Sequence, residues 1–361
     1  YLCDQLVVRA AEADSAGRYN GLGNVYLAQL VLFALLGRPE DATEAYRQAS
    51  TYFQTVEVSP YVLGIAAFFY LHTVALPYFA DHPQVIDTTA RVGTDAWIAA
   101  RGTATEGRSP RVAELGLLEL RGEWDDAVDV ATTAVAEEII LWFRDEAACV
   151  LGTLARHRGE PGRAWDEVAR YFPDGPAPPD GTRHYMVSAA MQRLAAALAV
   201  DAGDLVLARR WLELHDDWMT WSGSVMGQIE GHLGWACYHW KSGDLPSAEE
   251  HARAALAKAD TPRQPLGLIA SHRLLGELAI ERHEYDRADD HLSNSLTLAE
   301  ACQAPFERAL TLVALAELAV ATNSSEDALG FLSQASSIGE SLQAQPMLER
   351  IEGLRATLMA R

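Results

Sequence analysis

The sequence has few cysteines, and their spacing suggests no pairing. Its 361 residues contain four, Cys3, Cys149, Cys237 and Cys302, and no C-x-x-C pair. Scattered cysteines of this kind resemble neither a disulfide framework nor a cysteine-rich zinc site. We therefore expect a protein of a reducing, cytoplasmic compartment.

Basic residues are also scarce. The chain has 29 Lys and Arg against 50 Asp and Glu, which gives a net charge of −21. Such a surface repels phosphate backbones, so we expect no direct contact with nucleic acid. The same repulsion argues against docking on an anionic membrane.

Long apolar runs are lacking as well. The segment "VYLAQLVLFALLG" (Val25–Gly37) is interrupted by Gln29 and is shorter than the roughly 18 residues needed to span a bilayer. We therefore expect no membrane-spanning helix. The chain begins at Tyr1 rather than Met, so we also expect it to be a segment of a longer protein.

The usual catalytic and metal-binding motifs are missing. There is no H-E-x-x-H, P-loop, G-x-S-x-G or kinase motif. "GLGNVY" (Gly21–Tyr26) lacks the third glycine of a dinucleotide loop, and a helix start explains it. His232 and His239 could share a helical face with Glu230, but they are seven residues apart, whereas helical metal ligands more typically lie three or four apart. We expect no cofactor, no metal and no catalytic residues.

What the sequence does contain is an internal repeat. The segments "GDLVLA" and "GDLPSA" are related, and similar segments recur along the chain, each ending in alanine. These alanines are Ala42, Ala127, Ala164, Ala208, Ala248, Ala288 and Ala328. Successive members of the last four lie 40 residues apart. In the wide gap between Ala42 and Ala127, "HPQVID" (His82–Asp87) is a degenerate candidate for a further unit. Counting it gives eight units.

Each unit has the pattern of two helices joined by a tight turn. In the unit around Ala288, Leu268–Arg282 and Tyr285–Cys302 both carry apolar residues at helical spacing. A turn glycine supplies a left-handed backbone position, the following Asp can cap the second helix, and proline fits its first turn. The fold class that follows is all-α, a right-handed superhelix of about eight helical hairpins of roughly 40 residues.

This pattern resembles the tetratricopeptide repeat. The match lies in its small residues: Gly276 in the first helix, with Ala236 and Ala316 at equivalent places, the turn glycine, and the alanine of the second helix. The period exceeds the roughly 34 residues of that family, so each helix should be about a turn longer. Stacked hairpins of this family bury a continuous core and surround an inner groove.

We treat the whole chain as a single α-solenoid with two polar interruptions. One is the proline-rich segment 171–184 and the other is 101–111. Each is a long turn or a hinge, and a hinge in the first would separate lobes 1–172 and 183–361. The first fifteen residues are predicted to form a lone helix, either a cap or half of a ninth hairpin.

The inner groove is where a ligand is expected, because in the tetratricopeptide superhelix the first helices line it. Charged and aromatic residues of the first helices face the groove in this alignment. They are Arg193, Glu230, Trp240, Lys241, Arg273, Glu277 and Glu317. The mixture suits a peptide, a protein segment or a polar small molecule, and it equally suits a solvated wall.

Tryptophan is concentrated in one short region. Five of the nine Trp lie between Trp211 and Trp240. The repeat register predicts that Trp211, Trp218 and Trp235 pack in the interior and that Trp240 faces the groove. Trp221 falls near the bend before the next hairpin.

The second half has a further resemblance. "ARRWLELHDDWMTWSGSV" (Ala208–Val225), "TPRQPLGLIASHRLLGELA" (Thr261–Ala279) and "LTLAEACQAPFERALTLVALAELAV" (Leu296–Val320) are similar to the repeat region of LuxR-type, MalT-like signal-transducing ATPases. The resemblance implies an ATPase module, a sensor superhelix that receives an inducer or partner protein, and a DNA-binding helix-turn-helix. It covers Ala208–Arg361 well, and the first half shares only the period.

The function predicted on this basis is a non-catalytic sensor or scaffold domain of a bacterial transcriptional regulator. Its partners would be a peptide, protein segment or polar effector, and the neighbouring ATPase and helix-turn-helix domains. This chain has neither P-loop nor basic helix-turn-helix, so ATP hydrolysis and DNA binding are not carried over to it. The alternative is a stand-alone adaptor for protein assembly. An enzyme on a helical scaffold is a third hypothesis, but it needs convergent acids or metal ligands that the sequence lacks.

Overall fold

The structure, a computed structural model, describes residues 21–55, 60–100, 110–136, 141–177 and 185–360. Within these ranges every regular element is helical. The first-half helices are α1 (Gly21–Leu35), α2 (Pro39–Thr55), α3 (Pro60–Tyr70), a π-helical segment (Leu71–Ala75), α4 (Leu76–Phe79), α5 (Pro83–Ala99), a 3-10 turn (Pro110–Glu114), α6 (Leu115–Leu120), α7 (Trp124–Ala136), α8 (Leu141–His157) and α9 (Pro161–Tyr171). The predicted N-terminal helix lies outside the described residues.

The second half is more regular. Its helices are α10 (Tyr185–Asp201), α11 (Leu205–Ser222), α12 (Gln228–Lys241), α13 (Leu245–Asp260), α14 (Pro265–Glu281), α15 (Tyr285–Ala301), α16 (Pro305–Ala321), α17 (Ser325–Leu342) and α18 (Gln345–Met359). Over the described ranges, consecutive helices pack into eight hairpins, with α18 following as a single helix. The all-α class and the stack of tetratricopeptide-like hairpins are confirmed.

The turn inside each hairpin has the predicted chemistry. Glycines in left-handed conformation, with φ between +72° and +84°, occupy it in five hairpins: Gly37, Gly122, Gly159, Gly203 and Gly243. His283 and Asn323 hold the same place at φ 60° and 59°. Asp204 caps the next helix by accepting from the Leu207 backbone N–H at 3.0 Å, and Asp244 does so for Ser247 at 3.2 Å. Residues that favour turns therefore set the hairpin period.

Small residues allow the two helices of a hairpin to cross closely. All seven repeat alanines are fully buried. At Gly276 in α14, an added Cβ would lie 2.6 Å from the side chain of Leu292 in α15, and Ala236 and Ala316 are likewise buried at the equivalent places. A larger side chain here would force the helices apart.

One helix is longer and more apolar than the sequence analysis recognised. Pro60–Phe79 is a continuous helix of 20 residues with mean hydropathy 1.6, which by length and composition alone would be enough to cross a membrane, so the chain does contain a long apolar segment. In this structure 67% of its most apolar stretch is buried inside the protein. Tyr78 donates a hydrogen bond to the Ala34 carbonyl at 2.7 Å, and Val74 packs against α1. These contacts are those of a core helix.

The superhelix winds so that its first half contacts its second half. The Val225 N–H donates to the Leu35 carbonyl at 2.7 Å, and Arg263 pairs with Asp81 at 2.6 Å. A large hydrophobic cluster also joins Trp124 in α7 to Phe306 in α16. These contacts enclose an interior space.

The two predicted interruptions lie partly outside the described residues. Helix α9 ends at Tyr171, residues 172–177 are non-helical, and 178–184 lie outside the described residues. Of the segment 101–111, residues 101–109 are also outside them. The division into two lobes stays a prediction.

Candidate functional site

The interior contains a cavity of about 800 Å³ bounded mainly by the first helices α8, α10 and α12. Its lining residues follow one face of each helix, at steps of three and four. On α10 they include Ala190, Arg193, Leu194, Ala197, Val200 and Asp201, and on α12 Glu230, Leu233, Gly234, Cys237, Trp240 and Lys241. Each residue of the first set has its repeat equivalent in the second, so the two helices contribute the same positions of the repeat.

Four of the predicted groove residues line this cavity: Arg193, Glu230, Trp240 and Lys241. The space exists because small side chains, such as Ala197 and Gly234, occupy the wall between them. Their role in binding stays a prediction. The repeat positions from which they were selected do lie together on one continuous wall of the cavity.

The other three predicted residues do not line the cavity. Arg273 forms an ion pair with Glu307. Arg350 of α18 pairs with Glu277 at 2.9 Å and with Glu317 at 2.7 Å. The inner face of α14 and α16 is therefore closed by ion pairs within the chain. Glu307 was missed in the sequence because it stands at a position that the groove alignment did not include. Arg350 stands at the repeat position of Glu230, three periods later, but in the single helix after the last predicted hairpin, where the alignment was not extended.

Arg193 has an unusual partner. Its Nη1 donates to Nε2 of His215 at 3.2 Å, which requires the His215 proton to be on Nδ1. Burial lowers the pKa of His215, and the Arg193 charge lowers it further, although the hydrogen bond and charge of Asp216 act in the opposite direction. Among the described residues, no carboxylate lies within ion-pair distance of Arg193.

Glu119 of α6 faces the cavity from the other half of the chain. Burial raises its pKa to about 8, with Glu146 and Glu307 contributing further through charge repulsion. Glu119 is therefore largely protonated at neutral pH. Glu119 precedes Ala127 by the same number of residues as Trp240 precedes Ala248, so the repeat register could have indicated this position.

Two smaller cavities adjoin this one. One, of about 240 Å³, shares Arg193 and Glu230 with it, and the other, of about 320 Å³, shares Glu119. His157 lines the last of these and stacks on Trp124. Burial lowers the His157 pKa to about 3, assisted by Arg156 and Arg273, so its imidazole is neutral.

Cys237 is a thiol on the cavity wall. Its side chain is exposed to the cavity, and desolvation by the surrounding protein atoms, together with the Glu277 charge, raises its pKa to about 11. At neutral pH it is therefore a protonated side chain of low nucleophilicity.

The tryptophans divide as the register predicts, with one exception. Trp211 is 1% exposed, Trp218 is half-buried and stacked on Tyr185, and Trp221 is 76% exposed. Trp235 is half-buried, packs against the hydrophobic cluster of α10 and α11, and donates to Asp216 Oδ2 at 2.8 Å, so it lies at the edge of the core rather than inside it. Trp240 lines the cavity and also packs against a hydrophobic cluster of α12–α14.

His232 takes part in a repeated histidine pair. Its Nδ1 lies 3.1 Å from Nδ1 of His251, and in the next repeat unit His272 and His291 form the same contact at 3.0 Å. His239 stacks on His251. In the part of the chain that the structure describes, no three His, Cys, Asp or Glu side chains form a group suited to a metal. The pairs are a feature of the repeat.

Comparison with known proteins identifies a fold and no family. No protein-family model matches the sequence, and no curated protein matches it. A Rap protein complexed with competence and sporulation factor superposes with a TM-score of 0.54 at 12% identity, over 94% of this chain and 98% of that one. The shared superhelical fold of tetratricopeptide-like hairpins follows from this superposition.

Two further solved structures have lower TM-scores. A signal transduction ATPase with numerous domains and a tetratricopeptide repeat sensor, from Pyrococcus horikoshii, gives 0.49 at 12% identity, over 83% of this chain and 40% of that one. A tetratricopeptide repeat protein from Parabacteroides merdae gives 0.44 at 13% identity, over 79% and 99%.

Proposed function

We propose that this chain is a non-catalytic sensor domain of a bacterial transcriptional regulator and that its interior cavity receives a peptide or polar small-molecule effector. The observation that carries the proposal is the cavity of about 800 Å³ along the inner faces of α8, α10 and α12. Its volume lies within the range of ligand-binding sites, roughly 300–1,000 Å³, and its wall combines apolar residues with a few polar groups.

The regulatory role rests on the resemblance of Ala208–Arg361 to the repeat region of MalT-like regulators. In such a protein the superhelix would be flanked by ATPase and helix-turn-helix domains, in the cytoplasm. A Rap protein of the same fold forms a complex with competence and sporulation factor, which supports a small-effector or peptide partner here. If the parent gene encodes no ATPase and no helix-turn-helix, the chain is instead a stand-alone adaptor.

The position of the cavity suggests how binding would be transmitted. Its wall includes α10 and α12 from the second half and Glu119 from the first half. A ligand that contacts both would stabilise the closed winding relative to a more open one. Such differential affinity is what a conformational signal requires.

The proposal is tested by filling the cavity. Short peptides and polar metabolites are screened against the chain by thermal shift, and hits are titrated by calorimetry. Cys237→Phe, which inserts a ring into the cavity, is expected to weaken binding about tenfold or more, since it removes the volume that the ligand needs. The matched control, Val206→Phe, alters a side chain that is 77% exposed and should bind normally. If no ligand is found, or if Cys237→Phe binds like the control, the cavity is not the site.

A further inference from the structure

Arg193 and Arg273 occupy the same repeat position, two units apart, but their surroundings differ. Arg273 pairs with Glu307, which lies in the first helix of the next unit, and the charge of Glu277, one helical turn after Arg273, also acts on it. The residues equivalent to Glu307 and Glu277 in the unit of Arg193 are Gly227 and Ala197. The unit of Arg193 therefore has the guanidinium without the two carboxylates that accompany Arg273.

The geometry at Gly227 shows how close the missing group would be. A Cβ built on Gly227 would lie 3.0 Å from Nη1 of Arg193, and φ at this residue is +96°. A side chain is therefore disfavoured at Gly227, which is the repeat equivalent of Glu307, the partner of Arg273. At Gly227 the Arg193 guanidinium lies next to the main chain, with no side chain between them.

Among the described residues, no carboxylate forms an ion pair with Arg193, although Glu230 and Glu146 line the cavities that Arg193 borders. The hydrogen-bond partner that the described residues provide is the imidazole of His215, a neutral acceptor that carries no negative charge. A guanidinium away from bulk water is stabilised by an anion, and its planar donors match the two oxygens of a carboxylate. This arrangement leaves an anion-binding group at the wall of a cavity.

The rest of the cavity defines what should carry the anion. Leu194, Leu212, Leu233 and Trp240 contribute apolar and aromatic surface to the wall. Other charged groups also face the space: Glu119, Arg156 with its partner Asp201, Glu230 and Lys241. An apolar body with one anionic group fits this wall, whereas a second anionic group would approach Glu230.

We propose that the cavity binds a carboxylate attached to an apolar body, and that Arg193 pairs with this carboxylate as Arg273 pairs with Glu307. The inference rests on the proposed function, because it concerns the same cavity. Two sources share this chemistry: a small free organic acid and the C-terminal carboxylate of an apolar peptide.

The first test compares acids with their neutral amides. The probes are 3-phenylpropionate and its amide, and an N-acetylated apolar tripeptide with a free or an amidated C-terminus, each titrated into the chain by calorimetry. We expect each acid to bind about tenfold more tightly than its amide, the size of one charge-assisted hydrogen bond. The acid that binds more tightly identifies the source.

The second test supplies the missing carboxylate. Ala197→Glu places an acid one helical turn after Arg193, as Glu277 lies after Arg273, and should remove the acid-over-amide preference. Ala197→Gln fills nearly the same volume without charge and should retain it. Arg193→Gln should also lose the preference, and comparing these variants separates an effect of charge from one of folding.

Three results distinguish the two proposals. Equal affinity for acids and amides, with Arg193→Gln unchanged, overturns the carboxylate inference while the cavity still binds ligands. A preference that survives in Ala197→Glu as fully as in Ala197→Gln also overturns it. If none of the acids, amides and peptides of the wider screen binds, the proposed sensor function fails together with the inference.

Discussion

Two neighbouring stretches of the inner wall are built from the same repeat and have different surfaces. Along α10 and α12 the wall has small residues, Ala197 and Cys237, and borders a cavity. Along α14 and α16 the equivalent positions are Glu277 and Glu317, which pair with Arg350 of α18. The first stretch is open to a ligand and the second is closed by the chain itself.

The difference shows what a repeat determines and what it leaves variable. The repeat register determines which side chains point inward. Whether that surface is open or closed depends on the residues at a few inward positions and on a partner from a distant helix. Binding properties can therefore change between repeats while the hairpin packing is retained.

The largest expected difference is in stability, between the two equivalent arginines. Arg273→Met should destabilise the fold by about 3 kcal/mol, because it leaves Glu307 without its buried partner. Arg193→Met should cost less than about 1 kcal/mol, since it leaves no carboxylate unpaired. Urea unfolding of both variants measures the difference.

The control for this pair is Arg209→Met, which removes an exposed arginine paired with Glu213. It should change the free energy of unfolding by less than about 0.5 kcal/mol. Equal destabilisation by Arg193→Met and Arg273→Met would mean that the two stretches do not differ as described.

The next effect concerns Trp240, which belongs to both the cavity wall and the core. Trp240→Ala should reduce the free energy of unfolding by about 2 kcal/mol, less than for a fully buried Trp, and should weaken ligand binding. Trp221→Ala, at a side chain that is 76% exposed, should affect neither. Chemical denaturation and calorimetry on the two variants check this. Loss of stability without loss of binding would remove Trp240 from the site.

Glu119, which lines the cavity, should have a smaller and pH-dependent effect on the free energy of unfolding. Its folded-state pKa of about 8 lies above its reference value of 4.5, so the folded chain retains a proton that the unfolded chain releases. Stability should therefore fall as pH rises from 4.5 to 8. Glu119→Gln should relieve about 1–2 kcal/mol of this loss at pH 9 and nothing at pH 4. Identical unfolding profiles of variant and parent at both pH values would contradict the account.

The smallest effect should be the same in two consecutive repeat units, because the histidine pair recurs. Burial lowers the pKa of His251 and of His291 below 6.5, with His239 and Arg287, respectively, adding to it. The unfolded chain then binds more protons, so stability falls as pH drops below 6.5. His251→Phe and His291→Phe should each reduce that loss by roughly 0.5–1 kcal/mol, measured by unfolding at pH 7.5 and 5.5. A marked difference between them would mean that the pairs are not equivalent.

Much of the fold was predictable because the repeat is written in turn residues and small residues. Glycine at the turn and alanine at the helix crossing have local physical causes, so the eight hairpins follow from the sequence. The same register selected Arg193, Glu230, Trp240 and Lys241, which the structure places on one cavity wall.

The rest depends on contacts between residues far apart in the chain. Helical periodicity shows which face of a helix is buried but not which distant helix packs against it. The positions of Glu119 opposite α10 and of Arg350 opposite Glu277 and Glu317 result from the winding of the superhelix. The apolar helix Pro60–Phe79 was missed because His72 and the prolines within it hid its length.

The most direct test of the account is a crystal structure of the chain with 3-phenylpropionate. We predict a carboxylate within hydrogen-bond distance of the Arg193 guanidinium, and a phenyl ring against Leu212, Leu233 or Trp240 in the space between α10 and α12. A ligand bound on the α14–α16 face, or bound in the cavity with its carboxylate directed away from Arg193, would contradict it.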